Sequence, residues 1–192
     1  MRITETAIPG VLVITPKQLP DERGSFWEAM RADKLEDVLG EPFVPRQVSY
    51  SVSRRNTLRG IHSVAVPPGQ AKYVTCVRGR LRDITVELRV GSPAFGTHHV
   101  TTLDAASGRS LFIPEGVGHG FLALEQDTCI SYTMSSVYAP GTQIDIDPLD
   151  PALELPWELA EPPLMSPKDS RAPSLAETFS AGLLPLWRGV SA

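Results

Sequence analysis

Between residues 43 and 134 apolar and polar positions alternate in the period of two that marks β-strands. Over residues 43–52 the alternation puts Gln47 and Ser49 on one face of a strand. The runs KYVTCV, DITVEL, HHVTTL, SLFI and TCISYTM have strand length and β-branched content, and predict four to six further strands. Turn clusters separate them: Pro67-Pro68-Gly69, Arg78-Gly79-Arg80, Gly91-Ser92-Pro93, Ser107-Gly108 and residues 114–116. Short strands at close, regular spacing predict an all-β sandwich or barrel. No helical crossover separates them, which excludes a doubly wound sheet.

The flanks read differently. Residues 3–15 form short strands broken at Pro9-Gly10, followed by the turn cluster LPDERGSF with Gly24 at its bend. Residues 32–39 predict a short helix with Leu35, Val38 and Leu39 on one face and Gly40 as its stop. Beyond Pro140 the pattern loosens, and Asp145, Asp147 and Asp150 read as a solvated loop. The Pro-rich residues 148–173 predict an irregular wrap against the barrel. Ser174 and Glu177 form a capping box opening a second short helix, with Leu175 and Phe179 on one side and Gly182 as its stop. With 192 residues, the expectation is one domain over 1–192, with an arm at about 1–30 and a wrap at about 148–192.

Composition narrows the function classes. A chain with 42% hydrophobic and 21% charged residues is ordinary for a folded domain, and a formal charge of -4 disfavours nucleic-acid binding. Cys76 and Cys129 sit in apolar runs and read as buried free thiols rather than a disulfide or a nucleophile. The N-terminus lacks a signal-peptide apolar run and no stretch is long enough to span a membrane, so the expected location is cytoplasmic.

Two stretches carry the chemistry, residues 59–79 and residues 108–121. The second resembles a cupin half-motif, with Gly108, Pro114, Gly116 and His119 at the motif's spacing. The first resembles the end of the other half-motif, closing at Gly79. A metal-binding cupin would carry Glu at position 72, where this chain has Lys72, and an ammonium there would repel a cation. The expectation is therefore a cupin-type jelly-roll barrel with short peripheral helices, and with no metal and no cofactor. His98 and His99 are adjacent, so at most one faces the interior. His62 and His119 lie beside glycines within strand-like stretches.

Such a set suits proton transfer next to a ketone. A histidine, with an ordinary pKa of about 6.5, can act as a base at neutral pH. A buried cation, Lys72, would stabilise the enolate oxygen. Inversion needs a second, acidic group, and a tyrosine such as Tyr132, with an ordinary pKa of about 10, is a neutral donor. An Asp bonded to the base would fix its tautomer.

The blocks RGIH, QAKYVTCVRG, GSPAFG, IPEGVGHGFLAL and SYTMSSVYAP resemble, in order and spacing, the dTDP-4-dehydrorhamnose 3,5-epimerase family. The resemblance runs from ITPKQLPDERGSFWE to SPKDSRAPS, most of the chain. It implies epimerisation of a dTDP-linked 4-keto-6-deoxyhexose at C3, C5 or both, by a homodimer that exchanges N-terminal strands. It implies His62 as proton acceptor, Asp169 as its dyad partner, Tyr132 as proton donor, and Lys72 and Arg59 around the sugar oxygen and phosphate. It implies further substrate contacts from Arg23, Phe26, Glu28, Gln47, His119 and Lys168, with Tyr138 stacking on thymine. Departures from the family pattern fall around the sugar and nucleotide: Ser49 replaces Asn, Ser63 an aromatic, and Gln143 a Glu, while the catalytic set is intact. Two alternatives stay open, a single-position epimerase and a non-catalytic nucleotide-sugar-binding cupin.

Overall fold

A computed structural model describes residues 1–189. The strands are β1 (Arg2–Glu5), β2 (Leu12–Thr15), β3 (Leu19–Asp21), β4 (Gly24–Phe26), β5 (Gln47–Ser53), β6 (Leu58–Val64), β7 (Lys72–Arg78), β8 (Arg80–Val86), β9 (His98–Asp104), β10 (Ser110–Ile113), β11 (Gly118–Ala123), β12 (Thr128–Met134) and β13 (Gln143–Asp145). One sheet has six strands in the order β1-β2-β10-β7-β12-β5, and a second has five in the order β13-β6-β11-β8-β9. Every pairing between these strands is antiparallel. Strands β6 to β13 outnumber the four to six expected, because GHGFLA is apolar without alternation and β13 is only three residues long.

The two sheets face each other over Ile8, Val11, Val74, Cys76, Leu81, Leu103, Leu111, Phe121 and Ile130. The helix α1 (Ala32–Leu39) covers the outer side of the six-stranded sheet through Leu35, which packs with Phe43, Tyr73 and Phe112. Gly40 caps it in the left-handed conformation, as expected, whereas Val38 stays exposed. The outer side of the five-stranded sheet, with Leu58, Ile61, Ile84 and Val86, is covered by Leu153, Trp157 and Leu184, together with Leu155, Leu159 and Met165. The Pro-rich wrap is thus a hydrophobic cover. Helix α2 (Leu175–Ser180) begins at the predicted capping box; its Phe179 is exposed and leans on Phe95.

Three expectations are corrected. Asp145 lies not in a solvated loop but on β13, in register with His62. Asp150 is buried, and its carboxylate accepts from the backbone N–H groups of Ala152 and Leu175. Only Cys76 is buried; Cys129 lies on the outward side of β12 and is half-buried. Among the described residues no helix is long and apolar enough to cross a membrane.

Candidate active site

Register decides which side chains share the space between the sheets. On β7, Val74 and Cys76 point into the interior core, so Lys72, two residues earlier, points the same way. Tyr132 and Ile130 do likewise on β12. Gln47, Ser49 and Ser51 on β5 pair with Met134, Tyr132 and Ile130 and share that face. From the opposite sheet, His62 on β6 pairs with His119 on β11, which pairs with Thr85 on β8. A close backbone approach makes this possible: a Cβ on Gly60 would lie 2.5 Å from the Cα of Gly120.

His62 is held from the wrap. Its Nε2 lies 2.6 Å from Oδ1 of Asp169, which begins a short 3-10 turn, Asp169–Arg171, and is itself almost fully buried. Burial pushes the Asp169 carboxyl up, but the hydrogen bond and charge of His62, with help from Ser166 and Lys168, bring it below its ordinary value. An ionised Asp169 accepts from Nε2–H, which leaves the lone pair of the neutral ring on Nδ1.

The facing sheet supplies the other two groups. Burial pushes the Tyr132 hydroxyl well above its ordinary value, a shift opposed by the hydrogen bond with Ser51 at 3.4 Å. The phenol therefore stays protonated at working pH. The ring of His119 meets Tyr132 edge to face, with centroids 6.2 Å apart. Burial also lowers Lys72, to about 8, with Asp83 acting in the opposite direction.

Asp83 and Asp145 were not among the residues expected at the site. Asp83 is fully buried; Oδ2 lies 2.7 Å from Nε2 of His119, and Oδ1 has no hydrogen-bond partner among the described residues. The signal for Asp83 was its place in the alternation Leu81, Asp83, Thr85, where a carboxylate falls on the inward side of a core strand. His99 is the one of the adjacent pair that shares this face; it bonds Thr101 at 2.9 Å. At the rim, Nε of Arg59 donates to Ser53, Gln47 donates to Ser49, and the backbone N–H of Tyr138 donates to Gln47 Oε1. Lys168 Nζ reaches Gln143 Oε1 at 2.7 Å.

Within one chain Arg23, Phe26 and Glu28 are not drawn into this set. They belong to the exposed β3–β4 hairpin and the residues after it; Arg23 pairs with Asp21, and Glu28 with Arg31. The base of this arm is anchored where the Trp27 indole packs on Gly108, so closely that a Cβ there would lie 2.4 Å from Nε1.

The described residues hold no group of three or more His, Cys, Asp or Glu spaced for a metal ion. A histidine–carboxylate pair, a neutral phenol and an inward-facing ammonium can instead remove and return a proton beside a carbonyl. The sequence model of dTDP-4-dehydrorhamnose 3,5-epimerase matches residues 5–177. The chain belongs to that family. Among the family's curated members, the dTDP-4-dehydrorhamnose 3,5-epimerase of Mycolicibacterium smegmatis is 44% identical over 97% of this chain and 92% of its own. The crystal structure of NovW, a 4-keto-6-deoxy sugar epimerase from the novobiocin biosynthetic gene cluster of Streptomyces spheroides, is similar at 45% identity with a TM-score of 0.96, covering 100% of this chain and 96% of its own. ChmJ, a 3'-monoepimerase from Streptomyces bikiniensis solved in complex with dTDP-quinovose, is 39% identical with a TM-score of 0.91, covering 94% and 91%. The family thus includes double and single epimerases at comparable similarity, and this chain is an epimerase-type isomerase with the family's cupin-type barrel.

Proposed function

We propose that this chain inverts one or both carbons flanking the ketone of a dTDP-linked 4-keto-6-deoxyhexose, at C3, C5 or both, without metal or cofactor. The observation that carries the reading is the split of acid and base between two walls: His62 with Asp169 on the five-stranded sheet, and Tyr132 on the six-stranded sheet. His62 takes the carbon-bound proton at Nδ1, and the electron pair of the C–H bond moves to the ketone oxygen as an enolate. The Lys72 ammonium stabilises that oxygen. Tyr132 then donates its hydroxyl proton to the carbon from the opposite face, and the strongly basic phenolate recovers a proton from solvent as His62 releases its own. Asp169 keeps the reactive nitrogen free and stabilises the imidazolium.

Arg59, Gln47, Ser49, His119, Gln143 and Lys168 surround the sugar and phosphates in this reading, and Tyr138, 57% exposed, offers a face to thymine. Arg23, Phe26 and Glu28 serve the site of a second copy in a homodimer. The exposed hairpin, with Leu19 and Phe26 uncovered, supports this, as does the outward row Val48, Tyr50 and Val52 on the sheet-edge strand β5. Strands β1 and β2 complete this chain's own sheet, so the crossing element would be the hairpin rather than those strands.

Proton NMR of a dTDP-4-keto-6-deoxyglucose incubated with the protein in deuterated water tests the function. Deuterium entering at C3 or C5 with inversion is the expected result. Binding without exchange at either carbon would favour the non-catalytic cupin.

A further inference from the structure

Asp145 is a carboxylate beside the base that the reaction scheme leaves unused. It sits on β13 directly opposite His62 in the β6–β13 register, on the interior side, since its neighbours Ile144 and Ile146 pack outward under the wrap. Its Oδ1 is buried, 3.8 Å from Nε2 of His62 and 2.8 Å from Nζ of Lys168, and the lysine contact is an ion pair without the alignment of a hydrogen bond. Lys168 is further tied to Gln143, two residues before Asp145 on the same face of β13. The edge of the ring that bonds Asp169 at 2.6 Å therefore faces a second carboxylate, and one ammonium stands beside both acids.

We propose that Asp145 is a positioning residue for the base, acting through His62 and governed by Lys168. Its negative charge favours the imidazolium that forms when His62 takes a proton. Lys168 offsets part of that charge and fixes Asp145 at contact distance instead of letting it replace Asp169 as the hydrogen-bond partner. The pair Asp145 and Lys168 thus sets how strongly the base holds its proton. This rests on the reading of His62 as the base.

The two charges act with opposite sign, which gives a test that a merely structural role would not pass. Other charged or titratable groups on the interior strands are His119 with Asp83, His99, Tyr132, Lys72, and Arg59 on β6 itself, and both variants leave them in place. The Asp145→Asn and Lys168→Met variants would be followed by NMR titration of the labelled His62 ring in the free protein and by the acid limb of kcat/KM. In Asp145→Asn both should move to lower pH, by about one unit. In Lys168→Met both should move to higher pH. Should Asp145→Asn fail to fold, the upward shift in Lys168→Met, whose side chain is 49% exposed, still decides. Titrations that stay in place, or that move in the same direction in both variants, overturn the proposal. The ring titration needs no turnover, so it fails independently of the epimerase reading, which would fail as absence of deuterium exchange in the unaltered protein.

Discussion

His62 and His119 are register partners on adjacent strands, yet each ring is held by a different carboxylate: His62 by Asp169 from the wrap, His119 by Asp83 from β8. Their burial differs too, since the side chain of His62 is 33% exposed and that of His119 only 5%. Removing them should therefore separate chemistry from stability. His119→Ala leaves the fully buried Asp83 without its hydrogen bond and should cost about 2–4 kcal/mol of folding stability. His62→Ala removes a ring open to the site mouth and leaves Asp169 with Ser166 and Lys168 still beside it, so it should cost less than His119→Ala while abolishing turnover. Urea denaturation of both variants checks this; equal losses would contradict it.

The depressed Lys72 predicts an alkaline limit to activity. Burial brings the ammonium to about 8, so the charge over the enolate oxygen disappears as pH rises through that value. The sign for stability is opposite. Between about pH 8 and 10.5 the unfolded chain holds the proton that the folded chain has released, so the contribution of this site to stability rises with pH. The kcat profile should bend downward near pH 8 while the melting temperature shows no matching loss at this site. A rate that stays level to about pH 10, near the ordinary lysine value, would contradict the role given to Lys72.

The same residue predicts indifference to chelators. An ammonium on the interior face of β7 opposes a divalent cation in the same space. Exhaustive dialysis against EDTA should leave the rate unchanged. Loss of rate restored by a divalent ion would contradict this.

How much of this was legible in the sequence depended on what each signal reports. Alternation and turn residues gave the all-β barrel, and the Gly40 stop and the Ser174 capping box gave both helices, because these signals are local. Lys72 stood out from the cupin motif spacing, whereas Asp169 and the roles given to His62 and Tyr132 came from the family resemblance. Alternation alone could not say that β5 is inverted, with Ser49 and Ser51 inward and Val48 and Tyr50 outward, since period two does not identify the buried side. Nor could it find Asp145, because a three-residue strand is too short to show a period and its partner is distant in sequence. Asp83 was missed for a related reason: its pairing with His119 spans strands β8 and β11 and depends on their register.

The exposed hairpin predicts a contribution in trans. If Arg23 reaches the nucleotide phosphates of a partner site, Arg23→Ala should weaken dTDP binding by about 1.5–3 kcal/mol, roughly ten- to a hundredfold. The fold should be indifferent, because Arg23 is 85% exposed and its ion pair among the described residues is with Asp21 in its own hairpin. Calorimetry with dTDP, beside light scattering to confirm a dimer, checks both parts. Unchanged affinity, or a monomer that turns over normally, would contradict the assignment.

The most direct test of the account is deuterium incorporation in deuterated water by His62→Ala and Tyr132→Phe. His62 is assigned the base on one wall and Tyr132 the acid on the other. His62→Ala should show neither exchange nor inversion, because no enolate forms. Tyr132→Phe deletes only a hydroxyl that bonds Ser51, and leaves Lys72 to support the enolate. Deuterium should then return from the His62 side, giving exchange with retention of configuration. Exchange at the unaltered rate in His62→Ala, or inversion at the unaltered rate in Tyr132→Phe, would contradict the assignment of base and acid.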